Sequence, residues 1–284
     1  TKDPTNRQEA VAVKGLKLDD QPYTHNQAVN LNYTDKDFYG QGLQLESYWR
    51  RADALFFPDV SRGFAGISDN NSVQNVYGLR AAIDTPLPAI GSATGNLVWG
   101  ADYDNERSTQ RGDQYSVKGL DYTKTGTTFE LGPDTETTTK AIYGQMSWDI
   151  ADWTVRGGIR REWIESDVSD SIAYGEIVQT GNYATLPGET LKYDATLYNL
   201  GAVYHLSENQ DVFVNYSQGF SLPDIQRFLR DVNSSFNIQT LDAQAIKVDS
   251  YELGWRGDWD QWQADVTVYE NTSDVTQFYD ANER

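Results

Sequence analysis

Ten stretches of this chain alternate apolar and polar side chains with a period of two, and the segments joining them alternate between short and long. The stretches run at about 24–34, 39–50, 73–85, 95–107, 139–149, 153–164, 192–206, 211–219, 248–257 and 262–272. In one of them Trp153, Val155, Ile159 and Trp163 face one way and Arg156, Gly158, Arg160 and Glu162 the other. In another, Tyr198, Leu200, Ala202, Tyr204 and Leu206 alternate with Asn199, Gly201, Val203 and His205. Each reads as a strand with one apolar and one strongly polar face. The short connections are Asp35–Phe38, Pro86–Thr94, Ile150–Asp152, Ser207–Gln210 and Asp258–Gln261; the long ones are 51–72, 108–138, 166–191 and 220–247. Residues 1–23 read as the tail of a further long loop. All turns therefore lie at one end of the sheet and all long loops at the other. A soluble sandwich has no reason to obey that rule, whereas an antiparallel transmembrane β-barrel does.

Most of the stretches hold 9–14 residues, enough for a tilted strand to cross a bilayer. The longest apolar run, Ala54-Leu55-Phe56-Phe57, is far too short for a spanning helix. Aromatic residues make up 13% of the chain and gather where strands meet turns: Tyr33, Phe38 and Tyr39, then Trp148 and Trp153, Tyr204 and Phe213, and Trp255, Trp259 and Trp262. That placement is the expected interfacial girdle, where a ring body meets a wet edge. Helical periodicity is clear only in Ser221–Arg230, with Pro223 at the first helical position and Ile225, Phe228 and Leu229 on one face.

Composition removes several function classes. With 42 acidic against 23 basic residues the net charge is −19, which argues against a nucleic-acid binder. There is no cysteine, so a disulfide scaffold, a thiolate zinc site and a cysteine nucleophile are excluded. His25 and His205 alone cannot build a multi-histidine metal site, and His205 reads as a hydrogen-bonded wall residue. No nucleophile elbow, Walker loop, HExxH or dinucleotide fingerprint is present, so the chain does not read as an enzyme. Asp102, Asp104 and Glu106 form an acidic row on one strand face, either the wet wall of a barrel or a calcium site near a loop base.

Leu197-Tyr-Asn-Leu-Gly-Ala-Val-Tyr-His-Leu-Ser-Glu-Asn-Gln-Asp-Val-Phe-Val-Asn-Tyr-Ser-Gln-Gly-Phe220, with the following Ser221-Leu-Pro-Asp224, resembles a mid-barrel hairpin of TonB-dependent siderophore receptors. Lys247-Val-Asp-Ser-Tyr-Glu-Leu-Gly-Trp-Arg256 and the alternating Gln263–Asp274 resemble the next hairpin. Within that family the sequence is most similar to ferric aerobactin receptors, whose ligand is a citrate-hydroxamate chelate. The resemblance implies that residues 1–284 are part of a larger, 22-stranded barrel, with no plug domain and no TonB box in this chain. It implies an outer-membrane receptor that captures a ferric siderophore and imports it with energy supplied through TonB, which acts on the missing plug. Iron then enters only inside the bound chelate, with no cofactor of the protein's own. Outer-membrane lipid, and bacteriocins or phage at the loops, are the further implied partners. Two rival readings stay open on the residues alone: a passive porin-like barrel, and a soluble carbohydrate-binding β-protein.

A site for an anionic ferric chelate needs cations and aromatic surface on the lumen side near the long loops. Parity and position select Tyr48 and Arg50 on the second strand, Arg80 on the third, Arg160 on the sixth, and Arg227 and Arg230 on the loop helix.

Overall fold

The computed structural model describes residues 23–59, 67–118, 121–172, 181, 184–230, 232, 235–238 and 246–273. Their core element is one antiparallel sheet. Ten strands follow one another along it: β1 (Tyr23–Phe38), β2 (Gln41–Asp59), β3 (Ile67–Ile90), β4 (Ala93–Lys118), β6 (Thr135–Ile150), β7 (Trp153–Val168), β10 (Glu189–Ser207), β11 (Gln210–Ser221), β12 (Ile246–Trp259) and β13 (Trp262–Ser273). β5 (Asp121–Glu130) pairs only with the upper part of β4, and the two-residue strands β8 (Ser171–Ile172) and β9 (Thr185–Leu186) pair with each other. These ten strands correspond one for one to the ten alternating stretches.

Five tight turns close the hairpins at one end, where the register brings Phe38 opposite Gln41, Ile90 opposite Ala93, Ile150 opposite Trp153, Ser207 opposite Gln210 and Trp259 opposite Trp262. One of these turns sits later than expected, and a second is tighter within its expected span of Pro86–Thr94. The first falls at Tyr39 and Gly40, because a register shift between Asp35 and Phe38 lets β1 continue through the charged Asp35-Lys-Asp run. The second falls at Gly91 and Ser92, and Pro86 remains paired opposite Asn96.

The other end departs further from expectation. β2 runs on to Asp59, β3 starts at Ile67 and β4 extends to Lys118, so much of 51–72 and 108–138 is strand rather than loop. The 26 residues of β4 are more than twice what a bilayer crossing needs. The surplus projects past the membrane and carries β5 as a third strand of an extracellular ribbon. Within that ribbon Asp69 is buried and accepts from the Asp113 amide at 2.7 Å and from Tyr115 Oη at 2.9 Å. Lys124 donates to Asp113 at 2.5 Å.

Among the described residues, none packs over the apolar face. Leu31 is 68% exposed, Leu200 59% and Val268 71%, in the middle of strands whose opposite face is polar. Above and below this band stand aromatic rings. Trp153 lies 4.7 Å from Tyr204 in a tilted pair near the turns, and Trp255, Trp259 and Trp262 form a chain there. Toward the loops the band ends at Trp49, Tyr77, Tyr103, Trp163, Tyr198, Tyr216 and Tyr251. On β7 ten residues separate Trp153 from Trp163.

The second girdle also measures the strand tilt. Trp49 pairs across β3, β4, β6 and β7 to Lys192 on β10. The girdle residue on β10 is Tyr198, six residues nearer the turns. A slip of about 20 Å over five strand spacings of roughly 4.8 Å is a tilt of about 40°. Ten residues of β7 at that tilt rise about 25 Å, the height of an outer-membrane barrel's apolar band. The soluble alternative has no account of that agreement.

The polar side is closed above by a loop body. Helix α1 (Ile225–Arg230) is shorter than expected and begins after Pro223, with Asp224 accepting from the Phe228 amide. Ile225 and Leu229 are buried with Val168, Leu186 and Ile238, while Phe228 is 46% exposed against Phe236. Gln226 donates to the carbonyls of Pro133 at 2.9 Å and Ser108 at 3.2 Å. The loop after β11 thereby reaches back over the polar face to β4.

Candidate functional site

The polar faces of β2, β3, β4, β6 and β7 share one charged surface. Glu46, Arg80, Asp102, Ala141 and Glu162 stand side by side on these five strands. One position nearer the loops come Tyr48, Gly78 and Asp104; one nearer the turns come Gly100, Tyr143 and Arg160.

Tyr48 is only 5% exposed on this open wall, because its ring lies flat over Gly78. A Cβ at Gly78 would stand 2.5 Å from Tyr48 Oη and 2.8 Å from Asp104 Oδ1. Arg80 donates to Tyr48 Oη at 3.2 Å, and its second nitrogen faces Glu46 at 3.5 Å. The guanidinium carbons of Arg80 and Arg50 stand 4.9 Å and 5.0 Å from the ring centroid. Each such cation–π contact contributes about 0.5–1 kcal/mol at an exposed site. Arg50 makes no ion pair among the described residues, so its donors face the lumen.

Arg160 has a different environment. It donates to Asp102 at 2.6 Å and to Glu162, and its guanidinium carbon stands 5.6 Å from the Tyr143 ring, which covers Gly100. Two carboxylates thus hold it in place and neutralise it. Tyr48, Arg50 and Arg80 form one contiguous group, and Arg160 adjoins it only through Asp102, which stands opposite Arg80. Arg227 and Arg230 lie on α1, and their side chains fall outside the described residues. Ser108, to which α1 is tied, is four residues above Asp104, about 13 Å along β4. The helix therefore belongs at the loop end of the same wall.

The acidic row serves the wall. Asp102 pairs with Arg160, and Glu106 accepts from Gln74 at 2.7 Å. Among the described residues no group of three metal-ligating side chains converges. His205 sits near the turns, 2.6 Å from Asp211 and 3.2 Å from the Thr154 hydroxyl. Thr154 donates instead to Asp149 at 2.6 Å, so this Thr–His–Asp group holds the hairpin ends together and presents no activated nucleophile. Tyr143, Gly78, Gly100 and Gln226 escaped the sequence reading. Their only signal is the register that sets a ring beside a glycine, and that register follows from pairing between distant strands.

What this surface can do is bind. An oxygen-rich anion could take the donors of Arg50, which makes no ion pair among the described residues, beside the covered Tyr48 ring. The neighbouring carboxylates Glu46, Asp104 and Glu106 would repel the same anion away from that spot.

A family model described as "TonB dependent receptor-like, beta-barrel" matches residues 3–283. The rhizobactin receptor of Rhizobium meliloti (strain 1021) is 30% identical over 291 residues, spanning 92% of this chain and 38% of its own. The ferric aerobactin receptor of Klebsiella pneumoniae is 28% identical over 288 residues, spanning 92% of this chain and 39% of its own. The chain thus spans about two fifths of the length of these curated relatives. Among solved structures, the ferric citrate transporter FecA superimposes with a TM-score of 0.66 at 19% identity, over 87% of this chain and 34% of that one. The copper transporter OprC does so with a TM-score of 0.69 at 15% identity, over 87% and 39%. With the one-sided loops, the bare apolar band and its two aromatic girdles, the match along nearly the whole chain places it in the outer membrane as a member of the TonB-dependent receptor β-barrel family.

Proposed function

We propose that the protein to which this segment belongs binds a ferric siderophore at the outer face and imports it with energy supplied through TonB. We further propose that its ligand is a citrate-hydroxamate chelate of the aerobactin type. The family membership supports the transporter class, and two relatives named for rhizobactin and ferric aerobactin align over 92% of this chain. The observation that carries the ligand reading is the Arg50–Tyr48–Arg80 group: two guanidiniums held against one ring, that of Arg50 without an ion pair among the described residues, on the lumen wall below a loop helix. A carboxylate-bearing chelate is recognised by such donors bidentately, whereas a neutral ligand has no use for them. Tyr48, Arg50 and Arg80 are the contact residues of this reading. Arg227 and Arg230 would approach the chelate from above, and Arg160 would keep the floor rigid through Asp102 and Glu162. Transfer inward would be the work of a plug domain and the TonB complex. The iron is cargo throughout.

The test is tryptophan quenching of the full-length receptor in detergent by iron-loaded aerobactin, with the iron-free chelate and a ferric catecholate as controls. Binding of the ferric hydroxamate alone is expected, weakened about tenfold or more in Arg50→Ala by loss of a charged hydrogen-bond donor. Binding of the catecholate alone would discard the citrate-hydroxamate ligand. Binding of no chelate would favour a passive barrel.

A further inference from the structure

Among the lumen-facing arginines of the described strands, Arg80, Arg160 and Arg256 each stand within 3.5 Å of a carboxylate. Arg50 and Arg156 make no ion pair among the described residues. Arg156 is exposed on the polar face of β7, nearer the turns than Arg160. Its position along the strand puts it about 18 Å below Trp163 of the outer girdle at the tilt derived above.

The wall around Arg156 is short and uncharged. Ser147 and Gly201 flank it on β6 and β10, and Asn215 follows on β11. One position nearer the loops stand Gln145, Gly158, Asn199 and Ser217 on the same strands. The two glycines keep the floor low. A Cβ at Gly158 would meet the Asn199 amide nitrogen at 2.8 Å, and one at Gly201 would stand 3.2 Å from Asn215 Oδ1. The side chains of Arg156, Gln145, Ser147, Asn199, Asn215 and Ser217 make no hydrogen bond among the described residues. Toward the loops this window ends at Glu162, and toward the turns at Asp149, which accepts from Thr154 at 2.6 Å. Glu252 lies beyond Asn215 on β12. Between these limits β6, β7, β10 and β11 present no carboxylate, in a chain of net charge −19. An anion there meets a guanidinium that can take a carboxylate bidentately, and amides and hydroxyls free to take its other oxygens. It meets little of the repulsion exerted by the acidic wall above.

We propose that Arg156, with Gln145, Asn199 and Asn215 around it, is a second station on the lumen wall for a carboxylate-bearing ferric chelate, occupied in transit between capture near Arg50 and release past the turns. The second station rests on the transport reading given above. Arg156 takes the carboxylate, the three amides take further oxygens, and the acidic row between the two unpaired arginines keeps the chelate from dwelling midway.

The test separates capture from import in cells carrying the full-length receptor, with aerobactin and citrate loaded with radioactive iron as probes. Capture is read with the proton gradient collapsed and import with it intact. Arg156→Gln should capture as tightly as wild type and import about tenfold more slowly, as expected for losing a charge-assisted hydrogen bond. Arg156→Lys should import at an intermediate rate, because it keeps the charge without the bidentate fork. Gln145→Glu leaves Arg156 in place and sets a carboxylate diagonal to it across β6 and β7, and should slow import comparably. Wild-type import rates in both Arg156→Gln and Gln145→Glu would overturn the proposal. So would a parallel loss of capture and import, which would make Arg156 part of the capture site or of the fold. A lowered unfolding midpoint of the unliganded Arg156→Gln receptor would also overturn it, by giving the arginine a partner within the protein. A wild type that captures neither chelate would sink the siderophore reading and the second station together, whereas a wild type that imports no faster than the variants sinks the second station alone.

Discussion

Replacing Gly78 with alanine adds one methyl group to the lumen wall, at the spot where the Tyr48 ring lies. In an unencumbered strand the change should stabilise by about 0.4–1 kcal/mol, because it removes backbone freedom from the unfolded chain. Here the methyl would stand 2.5 Å from Tyr48 Oη, and the backbone of β3 is fixed on both sides by β2 and β4. The ring must lift. Lifting it breaks the 3.2 Å bond from Arg80 and separates the ring from both guanidiniums. At about 1 kcal/mol for the hydrogen bond and about 0.5–1 for each cation–π contact, the net cost should be about 1–2.5 kcal/mol. The informative experiment is a double-mutant cycle on denaturant unfolding of the full-length receptor in micelles. Gly78→Ala should destabilise when Tyr48 is present, and be neutral or stabilising when Tyr48 is already alanine. The same loss in both backgrounds would show that Gly78 is needed for some other reason and that the stack contributes nothing measurable.

Three further outcomes are expected. The extracellular ribbon should be pH-sensitive only at the extremes. Lys124 and the Thr128 hydroxyl hold the Asp113 carboxyl below its usual 3.8, and Asp113 in turn raises the Lys124 ammonium above 10.5. The acid's contribution is present above pH 3.8 and is lost as pH falls through its lowered value. The lysine's is present below 10.5 and is lost as pH rises through its raised value. Amide protection, corrected for the intrinsic exchange rate, should therefore be flat across neutral pH in 113–118 and 121–128, and Lys124→Ala should bring its acid-side loss to higher pH; loss of protection between pH 6 and 8 would contradict the pairing. The Tyr115 phenol, pushed to about 12 by burial and by Asp69, should ionise late in an absorbance titration, and Tyr115→Phe should remove that late step. At the third tight turn Ala151 has φ +51°, so Ala151→Gly should stabilise the barrel by about 1 kcal/mol in the same unfolding assay. A loss of stability there would mean that the methyl makes a contact outweighing the strain.

The strands and their faces were legible because a bilayer imposes the alternation from outside. Val155, Ile159 and Trp163 must face lipid whatever they pair with. Beyond the girdle that pressure ends. Arg107 to Tyr115 is polar at every position except Gly112 and Tyr115, so its sequence carries no period, and the outward extension of β4 and the pairing of β5 went unread. Turn positions slipped where charge imitated a turn, at Asp35-Lys-Asp, while the positive φ angles fell on Tyr39 and Gly40. The site was legible as a choice of face and residue type only. Which arginine is neutralised depends on which carboxylate the register sets beside it. Arg160 finds Asp102 from a strand two places away, a contact with a sequence separation of 58.

The tether from Gln226 to Ser108 and Pro133 joins β11 to the β4–β6 hairpin across the inside of a bent sheet, as a string spans a bow. The pairings that lead from β4 through β6, β7 and β10 to β11 fix neighbouring strands only. The tether adds a second constraint across those five strands. The spacing of side chains on this stretch of the lumen wall is thus coupled to a glutamine amide in a loop. Whatever draws that amide away from its two carbonyls acts on all five strands at once.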